Sequence, residues 1–169
     1  VGDVDGDGRN EILTTGGYYK GARTGPWAFT PAQLGPDCAQ MSVLDTNGDG
    51  RSDMLSTSAH ARGVWWFEQN VDGSFERHLI DATVAGTHAA ILVRLGRSRA
   101  MNLFTGKRKW AHRPGVDVGS EEPSWLVRYE LTSKPDGPVW TRHVIDEASG
   151  VGTQFVVRDV DGDSLLDIV

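Results

Sequence analysis

Three stretches of the chain repeat one acidic pattern. Residues 3–11 read DVDGDGRNE, residues 45–53 read DTNGDGRSD, and residues 159–167 read DVDGDSLLD. In each stretch, side chains that carry an oxygen occupy positions 1, 3, 5 and 9, and glycine occupies position 4. Glycine adopts positive φ angles readily, so its place at position 4 predicts a sharp turn between two strands. The repeats therefore predict a chain built from similar hairpins.

These three stretches hold a large share of the negative charge. The sequence has 169 residues and a formal net charge of −6, from 23 acidic residues against 17 Lys and Arg. Eleven of the acidic residues lie in the three stretches, so the basic residues outnumber the acids elsewhere. Clustered carboxylates repel one another unless cations neutralise them, and three divalent ions would cancel the net charge. The charge distribution therefore favours bound metal.

The spacing of the oxygen-bearing residues suits calcium. Ca²⁺ takes about 6–8 oxygen ligands at about 2.3–2.6 Å, and short acidic side chains at alternate positions of a tight loop provide them. Position 7 of each loop adds a backbone carbonyl. We predict three calcium sites, formed by Asp3, Asp5, Asp7, Arg9 and Glu11 in the first loop, by Asp45, Asn47, Asp49, Arg51 and Asp53 in the second, and by Asp159, Asp161, Asp163, Leu165 and Asp167 in the third.

The acidic loops also fit two other interpretations. An EF-hand opens with a similar pattern but requires a bidentate Glu at position 12 and two flanking helices. Position 12 is Thr14 in the first loop and Ser56 in the second, and the flanking residues are typical of strands. A hairpin turn that binds no ion is the simpler alternative, and it explains one such loop more readily than three.

A second repeat predicts a hidden fourth loop. Residues 75–81 read FERHLID and residues 140–146 read WTRHVID. His143 precedes the third acidic loop by 16 residues, and the same interval after His78 reaches Arg94. No carboxylate remains in this fourth loop, at residues 94–102. We expect it to keep the hairpin without an ion, with Arg94, Arg97 or Arg99 offering a guanidinium in place of the cation, or to be a solvated loop that has lost its ligands.

The chain as a whole has the pattern of an all-β protein. Short apolar or alternating runs predict strands at residues 41–44, 54–56, 63–68, 75–80, 89–93, 101–104, 125–131, 139–145 and 154–157. In the frame of the repeats they form units of four antiparallel strands, the size of a propeller blade. The predicted fold is a partial β-propeller of four-stranded antiparallel blades with Asp-rich calcium-binding hairpin loops. Residues 1–38 would form a partial blade, 39–85 a full blade, 86–150 a full blade with an insertion at 105–123, and 151–169 another partial blade.

These loops and units resemble the FG-GAP/VCBS repeat family of integrin-like, calcium-binding propeller blades. Residues 63–70, GVWWFEQN, resemble the aromatic third strand of bacterial members, and residues 105–108, TGKR, resemble a segment that follows the acidic loop in some of them. The resemblance implies calcium at the loops and an extracellular, cell-surface or periplasmic location. The sequence departs from the family pattern at Glu11, Asn47 and Ser164, and in the fourth loop.

Other chemistry-bearing residues fit less specific roles. The five histidines lack a close metal-binding spacing such as HExxH, and the equivalent positions of His78 and His143 predict structural pairing. The basic run at residues 107–109, followed by Trp110, is expected to be solvated, although a partner site is most readily placed at residues 105–122, since binding residues concentrate on such loops. Trp66 is expected to pack between blades rather than to stack on a sugar.

The function expected from the sequence is binding or scaffolding without catalysis. The sequence contains no stretch apolar enough to span a membrane, and its single cysteine, Cys38, cannot form an internal disulfide. Hydrolase motifs such as GxSxG are absent from the sequence, and its net negative charge disfavours binding to nucleic acid. We predict a segment of a secreted or surface protein that binds a protein or carbohydrate, with structural calcium and with further blades completing the propeller. The alternatives are part of a polysaccharide lyase or hydrolase whose catalytic residues lie largely outside this segment, and a structural spacer.

Overall fold

The chain folds into four antiparallel sheets. The computed structural model describes residues 1–35, 38–96, 100–109 and 112–169, and these residues form strands, turns and loops without a helix. The strands are β1 (Ile12–Thr14), β2 (Gly17–Lys20), β3 (Ala28–Pro31), β4 (Met41–Leu44), β5 (Asp53–Thr57), β6 (Arg62–Gln69), β7 (Phe75–Ala85), β8 (Ala90–Leu95), β9 (Ala100–Gly106), β10 (Leu126–Lys134), β11 (Gly137–Asp146), β12 (Val157–Arg158) and β13 (Asp167–Ile168). In the described ranges no helix is long and apolar enough to cross a membrane.

Each sheet follows the chain order of its strands. The first sheet has the order β1-β2-β3, the second β4-β5-β6-β7, the third β8-β9-β10-β11, and the fourth pairs β12 with β13. The prediction of all-β structure and of four-stranded antiparallel units is confirmed by the second and third sheets, whose eight strands overlap the eight predicted from residue 41 to residue 145. A closed propeller is not formed by the described residues.

The sequence patterns predicted the strands of the first and fourth sheets less well than those of the second and third. The strand expected at residues 154–157 is confirmed only at its end, because β12 comprises Val157 and Arg158, and Val156 exchanges two backbone hydrogen bonds with Val169. The three strands of the first sheet were not predicted individually. Their pairing depends on Gly17, where a Cβ would collide with the carbonyl oxygen of Thr30 on β3, so that only glycine allows β2 and β3 to approach.

Neighbouring sheets share apolar cores. Val4, Tyr18, Leu34, Met54 and Phe67 pack together between the first and second sheets. Val64, Val84, Ala90, Leu103, Val127 and Tyr129 pack between the second and third, and Ala89, Phe104 and Phe155 between the third and fourth. The leading strands β4 and β8 also lie in contact, where Gln40 Oε1 accepts a hydrogen bond of 2.9 Å from the backbone N–H of Ala90. The sheets are therefore packed against one another in chain order.

The insertion begins later than the sequence suggested, and its first basic residue is buried. Thr105 and Gly106 belong to β9, and Lys107 is 1% exposed. The Lys107 ammonium donates hydrogen bonds to the backbone carbonyls of Ser120 (3.3 Å) and Glu122 (2.5 Å), and burial lowers the pKa of Lys107. The expectation that Lys107 belongs to a solvated basic run is therefore wrong. Trp110, expected beside that run, lies outside the described residues.

We predict that Leu103→Ala destabilises the second and third sheets together. Leu103 is 1% exposed in the core that these sheets share, so truncation should lower the free energy of unfolding by about 2–5 kcal/mol. Leu79→Ala, at a half-exposed position of β7, is the matched control and should cost less than about 1 kcal/mol. Denaturant unfolding followed by tryptophan fluorescence measures both. A Leu103→Ala variant as stable as the control would contradict the shared core.

Candidate metal centres

The four hairpins that open the four units have the same strand register. In each, the residue just before the loop pairs with position 9 of the loop. These pairs are Gly2 with Glu11, Leu44 with Asp53, Val93 with Asn102, and Arg158 with Asp167. The frame that predicted a fourth loop from the spacing of His78 and His143 is therefore the frame in which the strands pair.

Each acidic loop is closed by two hydrogen bonds from backbone to carboxylate. The carboxylate at position 9 accepts the N–H of position 2, at 2.8 Å in the first loop, 3.0 Å in the second and 2.9 Å in the third. The carboxylate at position 1 accepts the N–H of position 6, at 2.9 Å, 3.0 Å and 3.0 Å. These bonds hold the first and last acidic residues of each loop toward its centre.

The middle acidic positions turn the chain in the same way in all three loops. The side-chain oxygen at position 3 accepts the N–H of position 5, and the carboxylate at position 5 accepts the N–H of position 7. The first set of distances lies between 3.1 and 3.3 Å and the second between 2.7 and 3.0 Å. Such side-chain bonds to the following backbone are typical of Asx turns. The three loops therefore share one conformation as well as one sequence pattern.

The first loop gathers three carboxylate groups of the kind that ligate calcium. Carboxylate oxygens of Asp3, Asp5 and Glu11 lie within 4.8 Å of one another. Oxygens on opposite sides of one Ca²⁺ lie about 4.6–5.2 Å apart, twice the metal–oxygen distance, so this cluster has a suitable size. Asp3 Oδ1 is buried and accepts no hydrogen bond from the described residues. A buried carboxylate oxygen without a donor is costly, and a cation at this position would stabilise it.

The third loop gathers an equivalent set. Carboxylate oxygens of Asp159, Asp161 and Asp167 lie within 4.8 Å of one another. Position 7 is Leu165, so this loop has no basic side chain at the position held by Arg9 and Arg51 in the other two. Its residue at position 6 is Ser164, which adopts a φ of 72°. That angle lies in the left-handed region, where the equivalent residues of the first and second loops are glycine.

The second loop differs because its third position is an amide. Asn47 Nδ2 donates hydrogen bonds to Asp49 Oδ2 (3.0 Å) and to Glu68 Oε1 (2.8 Å). Within the fully described residues 45–53, three acidic groups are not brought together as they are in the other loops. Asp53 is fully buried, and burial raises its pKa, although the backbone N–H groups of Gln69 and Thr46 favour its charged form. This loop therefore offers fewer charged oxygens than the other two, because an amide oxygen replaces a carboxylate at position 3.

Basic side chains neutralise position 5 in two of the loops. The guanidinium of Arg9 and the ammonium of Lys20 both contact the carboxylate of Asp7, and together they hold the pKa of Asp7 well below its usual range. Lys20 also pairs with Asp5. In the second loop Arg51 pairs with Asp49, whose pKa is lowered first by the backbone N–H of Arg51. A cation entering either loop therefore competes with these ion pairs.

A guanidinium from β10 contacts the end of the fourth loop. Pairing between β8 and β9 extends past the Val93–Asn102 pair to Arg94 opposite Met101, so the hairpin is retained. Asn102, at position 9, is buried, and its Oδ1 accepts a hydrogen bond of 2.6 Å from Arg128 Nη1 on β10. Arg128 thus places a guanidinium at position 9 of this loop, and the expectation that Arg94, Arg97 or Arg99 offers one in place of the cation stays a prediction. Arg97 and Arg99 lie outside the described residues.

The repeated histidines lie beside glutamates at equivalent positions of the two sheets. His78 Nε2 lies 2.9 Å from Glu68 Oε2 in the second sheet, and His143 Nε2 lies 3.3 Å from Glu130 Oε2 in the third. The His78 ring also stacks on Trp66, with 4.4 Å between ring centroids. This geometry agrees with the structural pairing predicted for the two histidines. A separate group, formed by His60, His112 and Asp117, was missed because its members are far apart in the sequence.

Comparisons with known proteins do not identify a family for this chain. No protein-family model, no curated protein and no solved structure matches it. The resemblance to FG-GAP/VCBS repeats therefore stays a prediction. The assignment of a metal to the acidic loops depends on the geometry and the ligand chemistry described above.

We predict that Gly48→Ala weakens the second loop through backbone strain. Gly48 has a φ of 82° and open space where a Cβ would lie, so the expected cost, about 1–2 kcal/mol of unfolding free energy, comes from the left-handed conformation. Gly73→Ala is a matched control, because Gly73 has a φ of 81° and equally open space in the turn between β6 and β7. In the absence of calcium, denaturant unfolding should show that the two variants lose similar amounts of unfolding free energy. Only Gly48→Ala should also weaken calcium binding, and equal calcium affinities would contradict the assignment of this loop.

We predict that Ser164→Gly stabilises the third loop. Glycine removes the left-handed strain at a φ of 72°, and the gain should reach about 1 kcal/mol, since strain of about 1–2 kcal/mol is partly offset by chain entropy. Amide hydrogen exchange at residues 160–165 measures this local effect, and we expect it to be slower in the variant. Ser52→Gly, in the second loop at a position without positive φ, is the control and should speed local exchange. Faster exchange in Ser164→Gly would contradict the prediction.

Proposed function

We propose that this chain is a calcium-binding β-propeller segment of a secreted or cell-surface protein, in which calcium is structural and the blades act as a binding or scaffolding module. The observation that carries the proposal is the shared conformation of the three acidic loops, with the same four hydrogen bonds from backbone N–H groups to side-chain oxygens in each. Two of these loops gather three carboxylate oxygens within 4.8 Å. Oxygen-only donor sets of this size suit a hard cation such as Ca²⁺.

The proposed role of calcium is to stabilise the hairpins. Each acidic loop joins the first two strands of a unit, and its carboxylates repel one another when no cation is bound. An ion that binds only the folded loop adds about 2.7 kcal/mol of stability when free calcium is about 100 times Kd. Extracellular modules bind calcium with Kd of about 10⁻⁴–10⁻³ M, so millimolar surroundings fill such sites. This supports a location outside the cytoplasm.

Exposed apolar residues at the two ends of the stack support further blades. Val4 at position 2 of the first loop is fully buried in the core with the second sheet, whereas Val160, at the same position of the third loop, is 58% exposed. Trp27 and Phe29 of the first sheet are about half exposed. Neighbouring blades in a propeller would cover such residues, as the second sheet covers Val4.

A carbohydrate is the ligand class that the cleft around Trp125 supports. The cleft, of about 520 Å³, lies beside the insertion and is lined by Trp125, Arg142, Glu122 and Glu147 among others. An aromatic face with carboxylate and guanidinium groups around it can stack on a sugar ring and accept or donate hydrogen bonds to its hydroxyls. The cleft borders residues 105–122, where the sequence placed a partner site. Because it contains two carboxylates, it also keeps the polysaccharide-cleaving alternative open to test.

Calcium titration of the chelator-stripped chain tests the proposal. We expect three ions per chain by calorimetry and a melting temperature that rises with calcium. Asp3→Asn, Asp45→Asn and Asp159→Asn should each remove or weaken one site. Asp72→Asn is the matched control, because Asp72 makes a similar turn with Ser74 outside the acidic loops. A folded chain that binds no calcium would refute the proposal.

A further inference from the structure

Three connections that are remote in sequence bring histidines together at one end of the second and third sheets. His60 lies between β5 and β6, His88 between β7 and β8, and His112 and Asp117 in the insertion between β9 and β10. Because each sheet is an antiparallel meander, these connections lie at the opposite end from the β4–β5 and β8–β9 hairpins. The histidine group is therefore separate from the acidic loops.

The ligating atoms of this group lie close enough to share one metal ion. Nitrogen atoms of His60 and His112 and a carboxylate oxygen of Asp117 lie within 4.8 Å of one another. His112 Nδ1 is 2.9 Å from Asp117 Oδ2. Tetrahedral ligands at about 2.0–2.1 Å from Zn²⁺ lie about 3.4 Å apart, so small side-chain rotations would complete the geometry.

The rings are held in place by neighbouring contacts. The rings of His60 and His112 stack with 4.9 Å between centroids and an interplanar angle of 27°, and His88 packs edge-on against His60 at 5.2 Å. The backbone N–H and hydroxyl of Thr87 both donate to the carbonyl of Ser58 at 2.9 Å, which fastens the two connections that carry His60 and His88. A site whose ligands are fixed before binding loses less entropy when the ion enters.

We propose that His60, His112 and Asp117 bind a transition-metal ion of the Zn²⁺ class, distinct from the calcium proposed for the acidic loops. Imidazole nitrogen is a ligand preferred by zinc and related ions and not by calcium. Three protein ligands leave the fourth tetrahedral position to water. The ion would join the insertion to the connection between β5 and β6, and so fix the position of residues 112–117.

Cobalt and zinc titrations of the calcium-saturated chain test this site. Excess calcium fills the acidic loops, so transition-metal binding elsewhere can be counted alone. We expect one Co²⁺ per chain with visible ligand-field absorption, and displacement of Co²⁺ by one equivalent of Zn²⁺. His60→Ala, His112→Ala and Asp117→Asn should each weaken Co²⁺ binding by at least about tenfold. The absence of saturable Co²⁺ absorption in the unsubstituted chain would overturn the proposal.

The controls separate a specific site from loss of folding and from scattered histidine binding. His143→Ala removes a histidine paired with Glu130 in the third sheet and should leave Co²⁺ affinity unchanged. His60 and His112 are exposed, so their substitution should leave the circular dichroism spectrum and the calcium stoichiometry unchanged. Equal losses in His143→Ala and His60→Ala, or full Co²⁺ affinity in all three ligand variants, would show that these residues do not form a site.

Discussion

The carboxylate at position 9 of each acidic loop fixes the turn and the strand register at the same time. Glu11, Asp53 and Asp167 each pair across the hairpin with the residue before the loop and accept the N–H of position 2. Side chains alternate between the faces of a strand, so a slip of one residue would turn every core residue outward. In the second sheet, the register set by the loop places the Met54 side chain in the core shared with the first sheet. The acidic loops are thus part of the packing of the sheets and not only of their surface.

This construction concentrates negative charge at the hairpins, and the chain contains more than one way to neutralise it. Arg9 and Lys20 pair with the first loop and Arg51 with the second. In the fourth hairpin the acids are absent, and Arg128 binds the amide of Asn102 and the carboxylate of Glu130 instead. A fixed guanidinium needs no ion from solution, whereas the Asp159 loop has no such group at position 7. A bound cation would therefore add most to the third loop.

The repeats made much of the fold predictable, because they report local geometry. The eight strands of the second and third sheets follow from short apolar or alternating runs. The register of the fourth hairpin follows from the repeat spacing, and neither inference needs knowledge of tertiary contacts. Other contacts depend on how separate parts of the chain fold together. These are the contacts of Lys107 with Glu122, of Arg128 with Asn102, and of His60 with His112. A spacing rule that searches for nearby ligands cannot detect such residues. The strands of the first sheet were missed because a close approach at Gly17, and not an alternating pattern, allows their pairing.

The insertion between β9 and β10 gathers the residues that the repeats do not explain. Its Glu122 lines the cleft beside Trp125 and pairs with Arg62 of β6, and its His112 and Asp117 meet His60 near the connection that leads into the same strand. Lys107 anchors the base of the insertion from within. A metal ion at His60, His112 and Asp117 would therefore restrain the segment that supplies one wall of the cleft.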